Sequence, residues 1–420
     1  MTSPRATPRW SQPTPRPEVV VLTNVPTPYR LALHRRIDRE MPEIRLLTIY
    51  THDQADQAWA LDPAAASDEA DRVFRFGAGD SVNDSSRVAS ITREWAKGGR
   101  ICAWLEARDP KPAAMLLCGY NDPGRLRVLA YCRSAHIPVF LVGDSNIRGE
   151  RVSGFKAAIK HAVVSRVVAA CDGILPCGSC GADFFRKYGA TDDRIFYFPY
   201  EPDYALIQNL PSATIDRVRR LLGLRPDRRR IVFCGRMIHA KRPDLAIDAF
   251  ARIAGRRPDW DLVMIGAGDL LDAMKARVPE ALRGRVLFTG FLGDQTTISA
   301  IYRASDVFLL PSTYEPWGVV INEAVCAGLA VVATDAVGAA VELVRDRESG
   351  RLVPPGDLDA LASALDDATD PATLARYRAA TPAALADWRR RGDPVAGLRR
   401  ALRAARVIPA SAPNAEPGVP

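Results

Sequence analysis

The sequence predicts an α/β protein made of two doubly wound parallel-sheet domains facing a central cleft, and three observations carry that expectation. A chain of 420 residues is long for one ordinary domain and comfortable for two. Between residues 18 and 406, short runs of Val, Ile, Leu and Phe end in Gly, Pro or Asp and alternate with longer amphipathic segments, the pattern of strand followed by helix. The strand runs are apolar throughout, so both faces of each sheet lie under helices, as in parallel sheets.

Taken in order, the first set of strands is expected at Val19–Val25, Ile44–Tyr50, Ala113–Cys118, Pro138–Val142 and Gly173–Leu175. A second set follows at Arg230–Cys234, Asp261–Ile265, Val286–Thr289, Asp306–Leu310, Ala330–Ala333 and Arg351–Val353. Between them, around residues 198–212, the segment FPYEPDYALIQNLPSA carries three prolines and little periodicity. The division expected is a tail over 1–17, one domain over 18–200, a second over 201–392, and a closing tail over 407–420. Doubly wound sheets bind ligands beyond the carboxyl ends of their strands, so the cleft between the domains is the expected site.

No apolar run reaches the roughly 20 residues that cross a bilayer. The N-terminal MTSPRATPRWSQPTPRPE is basic but lacks the apolar core of a secretory signal. A cytoplasmic protein is expected, with reduced thiols for its eight irregularly spaced cysteines. Cys177 and Cys180 have C-x-x-C spacing; a redox or zinc pair and two small residues at a helix start both fit. The net charge of +8 is unevenly spread. Arg148, Arg151, Lys156, Lys160 and Arg166 have Glu150 as their only acidic companion, on a helix whose other face holds Phe155, Ile159, Val163 and Val167. The stretch from Arg376 to Arg406 has nine arginines against Asp387 and Asp393. A solvated face and an anionic lipid surface, at the inner face of the membrane, both explain such clusters. Nucleic acid is not the expected partner, because interleaved aromatics and a nucleic-acid motif are absent.

The most informative segment is Tyr314-Glu315-Pro316-Trp317-Gly318-Val319-Val320-Ile321-Asn322-Glu323, which follows a buried strand and opens into an apolar helix. Glu315 stands just before that helix and Glu323 lies in it; eight residues counted at a helical rise put them on the order of 12 Å apart, about the reach from ribose to sugar in a nucleoside-diphosphate sugar. Glu323 can then accept from ribose hydroxyls and Glu315 from sugar hydroxyls, while the helix start at Gly318 offers N–H groups to phosphate oxygens. A pair of solvated helix glutamates fits the same letters. A second segment, IVFCGRMIHAKRP, reads as strand, glycine turn and helix. Gly235 permits close backbone approach. Arg236 presents a planar fork to phosphate oxygens and Lys241 a point charge. Two fixed cations can neutralise a departing diphosphate, so no metal and no cofactor is expected.

Together, GRMIHAKRP, IGAG (residues 265–268), FTGF (residues 288–291) and STYEPWGVVINEAVCAGLAVVATDAVG resemble the family 4 glycosyltransferases of the GT-B fold, across residues 225–370. The Glu-x7-Glu element falls on Glu315 and Glu323, and Gly235, Arg236 and Lys241 also match. The resemblance implies two Rossmann-like domains and a retaining, metal-independent sugar transfer from a nucleoside-diphosphate sugar. It implies that Arg236 and Lys241 hold the leaving phosphate, that Phe288 and Gly290 lie beside the base, and that a final helix, 393–406, crosses back to complete the N-terminal acceptor domain. Gly266, Trp317, Gly318 and Val319 complete the implied donor site. The acceptor is then a glycan, a lipid-linked molecule or a small molecule. NVPTPYRLALHRRI and LLCGYNDPGRLRVLAYCRSAHIPVFLVGDSN resemble parts of the acceptor domain, with Pro26–Arg30 at the cleft. Many family members carry a histidine where this chain has Asp144, Ser145 and Asn146. Asp144 can orient the acceptor hydroxyl or the donor sugar, or it can cap a turn.

Asp259/Asp261 and Asp357/Asp359 have the spacing that metal-dependent transferases use, but they flank a strand start and open a helix, where coincidence explains them. Three functions stay open on the sequence: glycosyl transfer, nucleotide-sugar epimerisation on the same fold, and an inactive nucleotide-sugar-binding partner.

Overall fold

The computed structural model describes residues 16–52, 72–77, 88–150 and 152–410. Its first sheet contains β1 (Glu18–Thr23), β2 (Arg45–Tyr50), β3 (Val73–Arg75), β4 (Ala114–Cys118), β5 (Val139–Gly143) and β6 (Gly173–Pro176), in the order β3-β2-β1-β4-β5-β6. The second contains β7 (Arg229–Cys234), β8 (Trp260–Ile265), β9 (Val286–Gly290), β10 (Val307–Leu310), β11 (Ala330–Thr334) and β12 (Gly350–Val353), in the order β12-β11-β10-β7-β8-β9. Each sheet starts in its middle, winds to one edge, returns, and winds to the other. All neighbouring strands run parallel.

The apolar runs make this architecture because successive side chains in a strand point to opposite faces. In the first sheet Val20, Leu22, Leu47, Met115 and Leu141 enter one core, while Val19, Val21, Leu46, Leu116 and Phe140 enter the other. Both faces are covered, so nearly every position is apolar, the buried polar members being Thr23 and Thr48. The exception is β3, which pairs with β2 through Val73, Phe74 and Arg75 only. It is an edge strand too short and too basic to read as an apolar run.

The chain passes between the domains near residues 198–212 and again at Gly392–Asp393. The helix Pro371–Arg391 sends Tyr377, Leu385 and Trp388 into the C-terminal core. The next helix, Pro394–Ala404, sends Val395, Leu398, Ala401 and Leu402 into the N-terminal one. Arg36 ties both passages to the first helix, Pro28–Glu40, reaching Glu201 at 2.6 Å and also Asp393. Two tail boundaries shift. Pro17 already accepts the N–H of Arg45 at 2.9 Å, and Ile408 is buried in the N-terminal core. Residues 1–15 and 411–420 of those tails lie outside the described residues.

The C-terminal arginines are largely used inside the molecule: Arg378 pairs with Asp306 at 3.0 Å, Arg391 with Asp387 at 3.1 Å, and Arg399 with Glu43 at 2.9 Å. Arg389 lies 4.8 Å over the ring of Tyr204. Among the described residues no helix is long and apolar enough to cross a membrane.

Candidate active site

The loops that leave the carboxyl ends of the central strands meet around a cavity of about 450 Å³ between the domains. Chain reversal at β1/β4 and β7/β10 opens a crevice on each sheet at those ends, and the two crevices face each other.

On the C-terminal side, the loops after β7 and β8 are laced together. Gly235 N–H donates to Ile265 O at 3.0 Å, and Met237 N–H donates to Ala267 O at 2.9 Å. Gly266 is required there: its φ is +131°, and a Cβ would stand 2.0 Å from Gly235 O. The GAG letters thus serve close backbone packing at the cavity wall. Arg236 is exposed to the cleft, and Lys241 sits in a tight 3-10 turn, His239–Lys241, ahead of the helix Pro243–Ile253.

The segment after β10 brings Glu315 into contact with Lys241, carboxylate against ammonium. Burial and the neighbouring Arg236 guanidinium push the Lys241 ammonium down to about 8. The Cys234 thiol opposes that shift. The Glu315 loop is pinned by Gly338 N–H donating to its carbonyl at 3.1 Å, and Gly318 then turns the chain with φ +88°. Only from Val319 is the chain helical (Val319–Cys326), so a helical rise does not set the separation of Glu315 and Glu323. The first turn of that helix, with Gly318, Val319 and Val320, faces the cavity. Glu323 is buried on the same wall and accepts from Gln295 Nε2 at 2.9 Å. Burial pushes its carboxyl up to about 7 against that hydrogen bond.

Of the remaining expected donor residues, Trp317 reaches the cavity but is anchored elsewhere. Its indole N–H donates to Tyr200 O at 2.8 Å and its ring lies 5.3 Å from Trp388, so it joins the two domains. Phe288 and Gly290 do not line the cavity. Phe288 packs on the C-terminal core from β9, and Phe291 of the same segment takes the lining position.

The N-terminal wall supplies Asn24, Tyr29, Arg30, Asp144 and Tyr200. The Arg30 guanidinium lies 5.6 Å from the centres of both the Tyr29 and Tyr200 rings and donates to Val25 O at 2.9 Å. Asp144 follows β5 and is exposed to the solvent of the cleft. The surrounding walls raise its carboxyl above the ordinary aspartate value, opposed by Arg30. At the turn that follows, Asn146 is buried and accepts the N–H of Arg148 at 2.8 Å. Its Nδ2 stands 3.5 Å from the carbonyls of Glu315 and Pro316, across the domain boundary.

Sequence reasoning missed Gln295 and Tyr200. Neither carries a local signal; each reaches the cavity through sheet order and the domain passage. Asp261 lies at the far, amino end of β8, bonded to Arg228 Nε at 2.7 and 2.8 Å, while Asp357 caps a helix by accepting from Ala360 N–H. Among the described residues no three His, Cys, Asp or Glu side chains gather as a metal-holding group. Cys177 and Cys180 are free and buried, and burial raises both thiols.

Residues 214–381 match the family described as "Glycosyl transferases group 1". The chain is 37% identical over 161 residues to the lipopolysaccharide core biosynthesis mannosyltransferase LpsB of Rhizobium meliloti, covering 36% of this chain and 45% of that protein. It is 33% identical over 221 residues to the D-inositol 3-phosphate glycosyltransferase of Paenarthrobacter aurescens, covering 50% of this chain and 52% of that protein. These matches thus span about half of each relative's length. By structure, the chain resembles HepE of Anabaena in complex with UDP and glucose, with TM-score 0.67 and 19% identity over 93% of this chain and 98% of that one. It also resembles the sucrose-phosphate synthase of Thermosynechococcus elongatus, with TM-score 0.68 and 19% identity over 92% of this chain and 100% of that one. The fold is GT-B.

Proposed function

We propose that this chain is a retaining, metal-independent glycosyltransferase of the hexosyltransferase type, moving a sugar from a nucleoside-diphosphate donor to an acceptor hydroxyl. The observation that carries the reading is the convergence of Arg236, Lys241, Glu315, Glu323 and the Gly318 helix start on one cavity wall, with Asp144 on the other.

The donor lies along the C-terminal wall. Glu323, one oxygen held by Gln295, takes the ribose hydroxyls. The helix start and the two cations take the diphosphate, and Glu315 takes sugar hydroxyls. The Lys241–Glu315 contact holds both groups in place while the cleft is empty, and a diphosphate then draws on a cation already positioned. As the bond from the anomeric carbon to the phosphate oxygen breaks, Arg236 and Lys241 stabilise the charge left on the diphosphate. The acceptor oxygen bonds to that carbon, and its proton leaves to Asp144 or to the departing phosphate. Retention rests on the likeness of the Glu-x7-Glu element to the family 4 pattern.

Incubation with a panel of labelled nucleoside-diphosphate sugars tests the reading. Released nucleoside diphosphate with label on an acceptor, and the donor's anomeric configuration kept by NMR, is the expected result. Label returned as an altered free sugar would replace transfer by epimerisation, and binding without turnover would make the chain an inactive partner.

Transfer should continue in excess EDTA, because Arg236 and Lys241 already supply the positive field that a divalent ion gives other transferases. Complete loss in EDTA, restored by one divalent ion, overturns the metal-independent part.

Nucleotide affinity should also depend on pH. With the Glu323 carboxyl raised to about 7 by burial, ribose hydroxyls donating to its anion release a proton on binding. Affinity should therefore rise with pH through about 7 and fall below it. Titration calorimetry in buffers of different ionisation enthalpy measures that proton. Glu323→Gln should flatten the dependence, and an unchanged slope in that variant would place the titrating group elsewhere.

A further inference from the structure

A helix packed on a sheet normally buries one stripe and leaves polar residues outside. The helix Gly154–Ala170 buries Val164, Val167 and Val168. Its outer side nevertheless carries a second apolar stripe. Phe155, Ile159 and Val163, four residues apart on one line, are 80%, 50% and 45% exposed, and Val152 just before the helix is 41% exposed. The helix has no acidic residue. Glu150, beside its start, is already engaged by Lys160 Nζ at 3.0 Å and the Tyr188 hydroxyl at 2.8 Å. Lys156 and Arg166 make no ion pair among the described residues, whereas Arg148 is held by Asp335 at 2.6 Å and Arg151 lies outside the described residues.

The ridge borders a groove that lies next to the candidate active site. Ile159 and Val163 line a groove of about 600 Å³ together with Ser145, Asn146, Lys156 and Tyr314. Ser145 and Tyr314 are the chain neighbours of Asp144 and Glu315. An apolar wall flanked by Lys156 and by the Lys160–Glu150 pair therefore lies beside the cleft.

We propose that this helix docks on an anionic lipid bilayer, with Phe155, Ile159 and Val163 entering the acyl boundary and Lys156 and Arg166 meeting lipid phosphates. Charge selects the partner. A bilayer with anionic headgroups complements both the ridge and its cations, whereas a second copy would set cation against cation. The groove then opens at the lipid surface, and the acceptor class is a membrane-lipid headgroup. That last step rests on the transferase reading; the docking does not.

Flotation of the full chain with vesicles of phosphatidylcholine, alone or enriched in phosphatidylglycerol, tests the docking. Binding to the anionic vesicles should be at least about 10-fold stronger and weaken as salt rises. The double variant Phe155→Glu with Ile159→Glu, both at exposed positions, should lose at least about 10-fold of that binding. Its thermal shift with a nucleoside diphosphate should match the unsubstituted chain, which reads the fold and the donor half separately. Docking supported with no nucleotide shift in either chain would sink the transferase reading alone. Docking itself is overturned by a chain that stays with the solvent in both cases, by equal binding of variant and unsubstituted chain, or by a dimer that the variant dissociates.

Discussion

Lys241→Ala should lower kcat/KM by roughly 150-fold, and the loss should appear in both nucleoside-diphosphate affinity and turnover. Two effects add. A charge-assisted contact to the diphosphate disappears, worth about 1.5–3 kcal/mol. The Glu315 carboxylate, 13% exposed and now without its ammonium, is left facing the incoming phosphates. Together about 3 kcal/mol is expected, which the tenfold-per-1.36 kcal/mol relation converts to that factor. The second effect has its own signature. In Lys241→Ala with Glu315→Gln, the repulsion is gone, so nucleotide affinity should recover part of the loss while turnover stays low for want of the sugar contact. Strictly additive losses in the double variant would mean that the pair does not act as a unit. A single Lys241→Ala variant with unchanged kinetics would remove the loop after β7 from diphosphate binding altogether.

The pairing of Lys241 with Glu315 also marks where sequence reasoning stopped. Strands such as β1, β4 and β10 were legible because a strand covered on both faces is apolar at nearly every position. The edge strand Val73–Arg75 of the first sheet escaped because it is three residues long, only partly covered, and ends in a charge. Gly235, Arg236 and Glu315 stood out because each sits within a few residues of a strand end, where a doubly wound sheet delivers ligand contacts, whereas Glu323 stood out only through its place in the following helix. What joins them was not. Lys241 meets Glu315 across 74 residues of chain (315 minus 241) because β7 and β10 are neighbours, and no local pattern reports sheet order. Gln295 reaches Glu323 because the helices that follow β9 and β10 meet, and that is equally absent from any local pattern. The helical spacing of the two glutamates failed because it applied a helical rise to residues 315–318, which turn through the left-handed Gly318 before the helix begins at Val319. Ile408, in a run of Pro and Ala, looks like tail until the N-terminal core is seen to need it.

Asp144→Asn should lower kcat by at least about 100-fold, the lower end for a positioned acid–base group, and leave donor affinity within a few-fold. The parallel sheet ends β5 at Gly143, so the next side chain emerges at the cleft, and Asp144 lines the cavity opposite the donor wall. At the turn that follows, it is Asn146 that accepts the N–H of Arg148. The substitution keeps the shape and part of the hydrogen bonding, so what it removes is the charge that accepts the acceptor's proton or fixes a sugar hydroxyl. The crowded walls set the carboxyl above the ordinary aspartate value, with Arg30 opposing. The acidic limb of the kcat profile should therefore lie above the range of a free aspartate: activity falls as pH drops through it, and the limb vanishes in the Asn variant. Steady-state rates across pH, with nucleotide Kd measured in parallel, separate the two roles. Loss of donor affinity equal to the loss of kcat would move Asp144 from the reacting centre to donor binding, and a folded variant within a few-fold of the unsubstituted rate would remove it from the reaction.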